Sequence, residues 1–172
     1  MIDALADKIA VKLKEANPEE TASVEVMKFA LIGLLHNALI FVTALTVGLV
    51  LGQFLDTLIA AICFMLLRLV SGGFHFKTPL SCLLFSSFVF VAIPLVPIDD
   101  TWIMVVNGLT LLLVLIFAPS NIREHIRVSE KYFPVFKVIS AVLVAASFLI
   151  GHPIVTLAFF VQSLTLIAFE RR

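Results

Sequence analysis

The sequence has too few charged residues for an ordinary soluble domain. Of its 172 residues, 14% are charged and 61% are hydrophobic, and the mean hydropathy is +1.13. Soluble domains usually contain about 25% charged and about 45–50% apolar residues. Because the excess apolar surface has no favourable place in water, the composition indicates an integral membrane protein with the lipid bilayer as its surroundings.

The sequence also has few cysteines and no net charge, and no targeting signal is visible in it. Two cysteines, Cys63 and Cys82, are too few for a disulfide framework. The histidines and cysteines lack the close spacing of metal ligands, so we expect neither a metal nor a cofactor. A formal net charge of zero gives no indication of nucleic-acid binding. No cleavable signal peptide is expected, because the charged N-terminal region has no uninterrupted apolar core.

Six apolar segments have lengths close to that of a membrane span. A transmembrane helix needs about 20 apolar residues, within a range of about 17–25. The second segment is short and contains Arg68 near its end, so it is either tilted or re-entrant, and the fifth is also short. The six segments are 29–51, 54–70, 79–97, 101–118, 135–150 and 153–169.

The first 16 residues have the apolar periodicity of an amphipathic helix. Such a helix either lies in the membrane interface or packs on the rest of the protein. Asn17, Pro18 and Glu20 then supply a cap, a first-turn proline and a capping-box carboxylate, which predict a new helix start. The apolar stripe of the first helix consists of Ile2, Leu5, Ile9 and Leu13.

The sequence therefore predicts a single all-α membrane domain over residues 1–172. We expect an amphipathic interfacial helix at 1–16 and a bundle of about six transmembrane or re-entrant helices at 24–172. Lysine and arginine cluster in alternate connections and at both ends of the chain, whereas the other connections have none. By the positive-inside rule, both termini and the connection around His75–Cys82 face the cytoplasm.

The connection between the second and third segments carries the residues best suited to catalysis. A cysteine nucleophile needs a base, and His75 and Cys82 can form such a pair. Thr78 suits a helix N-cap and Pro79 the first helical position, which places Cys82 in the first turn. A helix N-terminus favours a thiolate, and its free backbone N–H groups can hold an oxyanion.

Four neighbouring residues can support that pair. Gly72 and Gly73 permit a sharp turn that brings His75 back over the helix start. Ser86 lies one helical turn after the cysteine, on the same face. Arg68 is costly near a membrane, so it has either a structural role or holds a substrate carboxylate. Alternatively, Cys82 is a small buried core residue, and Gly72 and Gly73 form a plain turn between two membrane spans.

Other polar residues lie within or beside the apolar segments. Any of them can orient His75 as the third group of a catalytic arrangement. They can instead form hydrogen bonds between helices, and the sequence does not choose between these roles. The residues are Glu25, His36, Asn37 and Asp56.

The pattern Arg-x-x-x-Gly-Gly-x-His, followed seven residues later by cysteine, resembles the accessory gene regulator B (AgrB) family. Phe117-Ala118-Pro119 ahead of a basic connection resembles a second, weaker signature of that family. The charged stretch 120–131 departs from the shorter proline-bearing pattern of the family, which leaves the substrate subtype open. The residues that match the first pattern are Arg68, Gly72, Gly73, His75 and Cys82.

The resemblance implies a membrane cysteine endopeptidase that matures a quorum-sensing peptide. Members of the family cut a small precursor, hold it as a thioester and promote closure of a thiolactone or lactone ring. On that analogy Cys82 is the nucleophile and His75 the general base, in a multi-pass protein of the bacterial plasma membrane with its site facing the cytoplasm. The expected partner is an amphipathic precursor peptide, and the resemblance also suggests a homodimer.

Two other classes of membrane protein stay open at this point. Short, interrupted helices and polar residues at mid-membrane also suit a small transporter, although the sequence shows no inverted repeat. A non-enzymatic membrane scaffold is the third class. A thiol-reactive probe separates them, because a catalytic Cys82 should react far faster than Cys63.

Overall fold

The computed structural model describes residues 2–74, 78–120 and 130–167. These ranges contain seven α-helices and no β-strand, which confirms the predicted all-α class. The helices are α1 Ile2–Ala16, α2 Val24–Val50, α3 Phe54–Ser71, α4 Pro79–Ala92, α5 Asp100–Phe117, α6 Phe133–Ile150 and α7 Pro153–Leu164, with short 3₁₀ turns at Ile93–Leu95 and Glu130–Tyr132.

Each of the six predicted apolar segments contains a helix. Helices α2, α3, α5 and α6 are long and apolar enough to cross a membrane, whereas α4 and α7 are shorter apolar helices. Many large apolar side chains point away from the bundle, among them Leu149, which is 92% exposed, and Val50, which is 81% exposed. This exposure fits a chain surrounded by lipid, where outward-facing apolar side chains have no water to avoid.

Helix α1 packs along α2 instead of standing apart from the bundle. Ala6 and Ala10 form its buried face, and the Lys28 ammonium donates to the Asp7 carboxylate at 2.9 Å. The larger apolar side chains Leu5 and Leu13 stay about half exposed. The two interpretations of α1 are therefore compatible, because the alanines face α2 and the leucines remain available to a membrane interface.

The predicted helix start at Asn17-Pro18 is wrong, because these residues form a turn and α2 begins at Val24. The Lys14 ammonium donates to the Pro18 carbonyl at 2.7 Å and the Thr21 carbonyl at 2.9 Å, which closes the turn. Ser23 is the N-cap of α2, and its hydroxyl accepts from the Val26 amide. The N-cap of α2 is thus six residues after Asn17, the cap that the sequence predicted.

Helix α7 is the most enclosed helix of the bundle and packs against α3 and α5. Seven of its 12 residues are buried, including Ala158, Phe159 and Gln162. It ends at Leu164, before the end of the predicted segment 153–169, whose last two residues lie outside the described ranges. The early end is explained by Thr165, whose carbonyl accepts a hydrogen bond from the Phe74 amide instead of continuing the helix.

Candidate functional site

Cys82 lies in the first turn of α4, as the capping pattern predicted. Thr78 is the N-cap, and its hydroxyl accepts from the Ser81 amide at 3.2 Å. Pro79 occupies the first helical position, where its missing N–H costs nothing. The Cys82 amide donates to the Thr78 carbonyl at 3.2 Å, which fixes the cysteine backbone at the helix start.

The same bonds change the expected source of oxyanion stabilisation. Free backbone N–H groups at this helix start were predicted to hold an oxyanion. The amides of Ser81 and Cys82 already donate to Thr78, so neither is free for this role in the arrangement described. The charged group at the cavity wall, Arg68, is a further source of stabilisation for a negative charge at the Cys82 sulfur or on an attached carbonyl.

A cavity of about 520 Å³ opens beside Cys82 between α3, α4 and α7. The predicted site residues Arg68 and Ser86 line it as well, so the structure brings three of the candidates to one place. The rest of the lining is mostly apolar, and such pockets with a few polar groups are typical of ligand-binding sites. These further residues are Phe64, Phe74, Phe85, Val161, Leu164, Thr165 and Ile167.

Arg68 reaches the cavity from the last turn of α3. Its Nη2 donates to the Phe74 carbonyl at 2.6 Å, and its Nη1 donates to Gln162 Oε1 at 3.3 Å. The guanidinium carbon lies 5.9 Å from the centre of the Phe64 ring. Among the described residues no carboxylate lies within ion-pair distance of Arg68, and the Cys82 thiol lines the same cavity.

Gly72 and Gly73 form a turn that only glycine accommodates easily. Their φ angles are +73° and +132°, and the Gly73 amide donates to the Ser120 carbonyl at 3.0 Å. The Ser120 amide in turn donates to the Ser71 carbonyl at 3.0 Å. Ser120, the residue that directly follows Phe117-Ala118-Pro119, is thus hydrogen-bonded to the stretch Ser71–Gly73 at the end of α3.

His75 lies outside the described residues. Its distance from Cys82, and its place as general base, therefore stay predictions. The flanking residues are fixed on both sides, since the Phe74 amide donates to the Thr165 carbonyl at 2.9 Å and Thr78 caps α4. The described neighbours hold the two ends of this connection at the cavity.

The candidates for a third, orienting group lie at different heights in the bundle. Asp56 is in the first turn of α3, about 18 Å along the helix from Arg68, and is exposed. His36 is one turn before Ile40, whose carbonyl accepts from Ser87 of α4 at 3.4 Å. His36 therefore lies near the height of Cys82, and its Nε2 is buried without a hydrogen-bond partner among the described residues. Glu25 and Asn37 are exposed.

Two polar residues that the sequence analysis did not select lie at the centre of this site. Gln162 is fully buried, and its Nε2 donates to the Gly72 carbonyl at 2.7 Å. Thr165 borders the cavity and accepts from Phe74. The available signal was an amide within the otherwise apolar segment 153–169, since intramembrane polar residues are functional candidates by default.

Comparison with known families agrees with this arrangement. The family model described as Accessory gene regulator B matches residues 4–169. This chain belongs to the AgrB family. The match covers most of α1 and every described apolar helix of this AgrB-family protein, so the family assignment applies to the whole bundle.

A curated protein of Halalkalibacterium halodurans, described as "Putative AgrB-like protein", is 33% identical to this AgrB-family chain over 110 residues. The alignment covers 64% of this chain and 56% of the relative, so it spans little more than half of the relative's length. No solved structure matches this AgrB-family chain.

Proposed function

We propose that this protein is a membrane cysteine endopeptidase that cleaves a small precursor peptide and promotes its cyclisation to a quorum-sensing signal. The observation that supports it most directly is the position of Cys82, in the first turn of α4 and at the wall of an apolar cavity shared with Arg68. Membership of the AgrB family supports the same role. The proposed site faces the cytoplasm of a bacterial cell, as the charge distribution predicts.

In the first step, His75 removes the proton from Cys82 and the thiolate attacks the carbonyl carbon of the scissile peptide bond. The carbon–nitrogen bond then breaks. The C-terminal fragment leaves as an amine that takes the proton from His75, and the N-terminal fragment remains on Cys82 as a thioester. Arg68 supplies a positive charge that can stabilise the oxyanion, since the Ser81 and Cys82 amides already donate to Thr78.

In the second step, a cysteine or serine of the bound fragment gives its proton to His75 and attacks the thioester carbonyl. A thiolactone or lactone ring forms, and the Cys82 thiolate is released for another cycle. Ring closure must be faster than hydrolysis, and a mostly apolar cavity limits access of water to the thioester. Holding the internal nucleophile nearby makes the closure effectively unimolecular.

Cleavage of the precursor by defined variants tests this proposal. We expect Cys82→Ala and His75→Ala each to abolish cleavage while the protein still inserts in the membrane. Cys82→Ser should fail or be very slow, because a hydroxyl is a poor nucleophile with only an imidazole as base. Cys63→Ala is the matched control. It should be nearly silent, because Cys63 packs among core residues of α3.

A trapped intermediate provides a second, independent measurement. Enzyme quenched during turnover should carry a mass increment equal to the N-terminal fragment of the precursor, and hydroxylamine should remove it as it removes a thioester. If Cys82→Ala cleaves its precursor at the wild-type rate, the peptidase proposal is wrong. A transporter or scaffold would then become the leading hypothesis.

A further inference from the structure

The amide of Gln162 is buried at the point where α3, α7 and the glycine turn meet. It is fully inaccessible, and its amide makes four hydrogen bonds. Nε2 donates to the Gly72 carbonyl at 2.7 Å and to the Ser71 hydroxyl at 3.3 Å. Oε1 accepts from Arg68 Nη1 at 3.3 Å and from the Thr165 hydroxyl at 3.2 Å. Such full satisfaction is what makes a buried amide tolerable in an apolar helix.

The partners of Gln162 lead directly to the cavity. Arg68 lines the cavity, and its other terminal nitrogen donates to the Phe74 carbonyl. Gly72 begins the turn that ends at Phe74, which also lines the cavity. One side chain therefore binds both the guanidinium beside Cys82 and the backbone of the connection that continues to His75.

The charge of the side chain at this position matters as much as its shape. A glutamate of the same length would form an ion pair with Arg68 and offset most of the guanidinium charge. A neutral amide orients the same guanidinium and leaves its positive charge available to the neighbouring thiol. Among the described residues no carboxylate forms an ion pair with Arg68.

We propose that Gln162 is a positioning residue, which holds Arg68 and the Gly72–Phe74 turn at the Cys82 cavity while leaving the Arg68 charge uncompensated. Arg68 then stabilises the Cys82 thiolate and the oxyanion that forms on the attached carbonyl. This inference rests on the proposed function, because it assigns Cys82 the role of nucleophile. No bond to Gln162 forms or breaks in the reaction.

The rate at which iodoacetamide alkylates Cys82 provides a test that needs no precursor. In a Cys63→Ala background Cys82 is the only cysteine of the chain. Two substitutions separate positioning of a charge from simple packing. Gln162→Glu retains the acceptor for Arg68, loses the Nε2 donor to Gly72 and adds a compensating charge, whereas Gln162→Met loses both the donor and the acceptor and adds no charge.

We expect alkylation to be slowest in Gln162→Glu, by about 10-fold or more relative to wild type, and intermediate in Gln162→Met. A purely structural role predicts that Gln162→Glu reacts no more slowly than Gln162→Met, because both variants lose the Nε2 donor to Gly72 and methionine also loses the acceptor for Arg68. Thermal unfolding in detergent checks that both variants stay folded, because loss of the fold would also separate Arg68 from the thiol. Thr156→Val is the control. It removes a buried hydroxyl of α7 that has no hydrogen-bond partner among the described residues, and it should leave the rate unchanged.

Kinetics of precursor cleavage complete the experiment. In Gln162→Glu we expect kcat to fall by a factor similar to that for alkylation, with KM changed by less than about 3-fold. Alkylation of Gln162→Glu at the wild-type rate, or slower alkylation in Gln162→Met than in Gln162→Glu, would overturn the inference. Cleavage by Cys82→Ala would instead overturn the proposed function, and the alkylation rates would still report whether Gln162 sets the environment of the thiol.

Discussion

At the scale of single residues, Gly73 is the position with least room for change. Its φ of +132° is unfavourable for any other residue, and an added Cβ would lie 2.5 Å from the Thr165 hydroxyl oxygen. We expect Gly73→Ala to lower the free energy of unfolding by about 1–3 kcal/mol and to reduce precursor cleavage. Thermal unfolding in detergent and a cleavage assay measure the two effects.

Gly33→Ala is the matched control for this substitution. Gly33 lies within α2, and an added Cβ would meet nothing within 4 Å. Alanine is the better helix former, so this variant should keep or slightly raise the melting temperature and cleave normally. Equal stability of Gly73→Ala and wild type would contradict the described contact with Thr165.

Arg68 is the second residue whose chemistry can be tested by a conservative change. Its two terminal nitrogens bind Phe74 and Gln162, which lie in different segments of the chain. Lysine has a single charged nitrogen and cannot make both contacts in the same geometry. We therefore expect Arg68→Lys to lower kcat/KM by about 10-fold or more while the protein inserts normally.

The opposite substitution, lysine to arginine, at a surface ion pair is the control for Arg68→Lys. Lys28 binds Asp7 through one contact at 2.9 Å, and both side chains are more than one-third exposed. Surface ion pairs of this kind contribute little to stability, because water and salt screen them. Lys28→Arg should therefore leave cleavage unchanged, and a loss equal to that of Arg68→Lys would indicate a general intolerance of such exchanges.

The site residues that the sequence predicts are those that a pattern of neighbouring residues along the chain identifies. Thr78 and Pro79 lie within a few residues of Cys82, so their capping pattern identified the helix start correctly. Gln162 was missed because its partners Ser71 and Gly72 precede it by 91 and 90 residues. Spacing along a chain contains no information about such a contact, and only the polarity of the residue in an apolar segment pointed to it.

At the scale of helices, α2 and α3 meet at a contact between small residues. An added Cβ on Gly48 would lie 2.5 Å from Thr57 Oγ1 and 2.9 Å from its Cβ. Small residues let transmembrane helices approach closely, and packing replaces the hydrophobic effect as the force that joins them. We expect Gly48→Ala to lower the melting temperature measurably, whereas Gly108→Ala, with nothing within 4 Å, should not.

A double-mutant cycle assigns the Gly48 effect to this pair of helices. Thr57→Ala removes the hydroxyl and the methyl group nearest to the added carbon. The double variant Gly48→Ala/Thr57→Ala should recover part of the stability lost in Gly48→Ala, because the residues are in direct contact. Strict additivity of the two single effects would show that the loss arises elsewhere.

The helix boundaries show the same division between local and distant causes. Apolar composition predicted all six segments, because a bilayer requires length and hydrophobicity and little else. The predicted end of α7 is too late. Thr165 does not interrupt the apolar segment, and the hydrogen bond that its carbonyl accepts from the Phe74 amide is not visible in the sequence. The start of α2 was placed too early, because the Lys14 side chain closes the turn at Pro18.

At the scale of the whole molecule, the orientation in the membrane is a prediction that tagging can test. The positive-inside rule places both termini and Lys77 in the cytoplasm, and Asp99 and Gly151 outside. Reporter fusions at these positions should read accordingly, because six crossings return the chain to the side on which it began. A cytoplasmic signal at Asp99 would contradict six crossings and leave the proposed position of the cavity without support.

The unequal lengths of the helices have a consequence for the surrounding lipid. Helix α2 has 27 residues and α7 has 12, which correspond to about 40 Å and about 18 Å along their axes. The hydrocarbon core of a bilayer is about 30 Å thick, so α2 exceeds it and α7 falls short. Hydrophobic mismatch of this kind is relieved by tilting a long helix and by thinning the bilayer around a short one. The proposed peptidase activity should therefore respond to acyl-chain length, with bilayers of shorter lipids bringing the aqueous phase closer to the inner end of α7 and thus to the thiol.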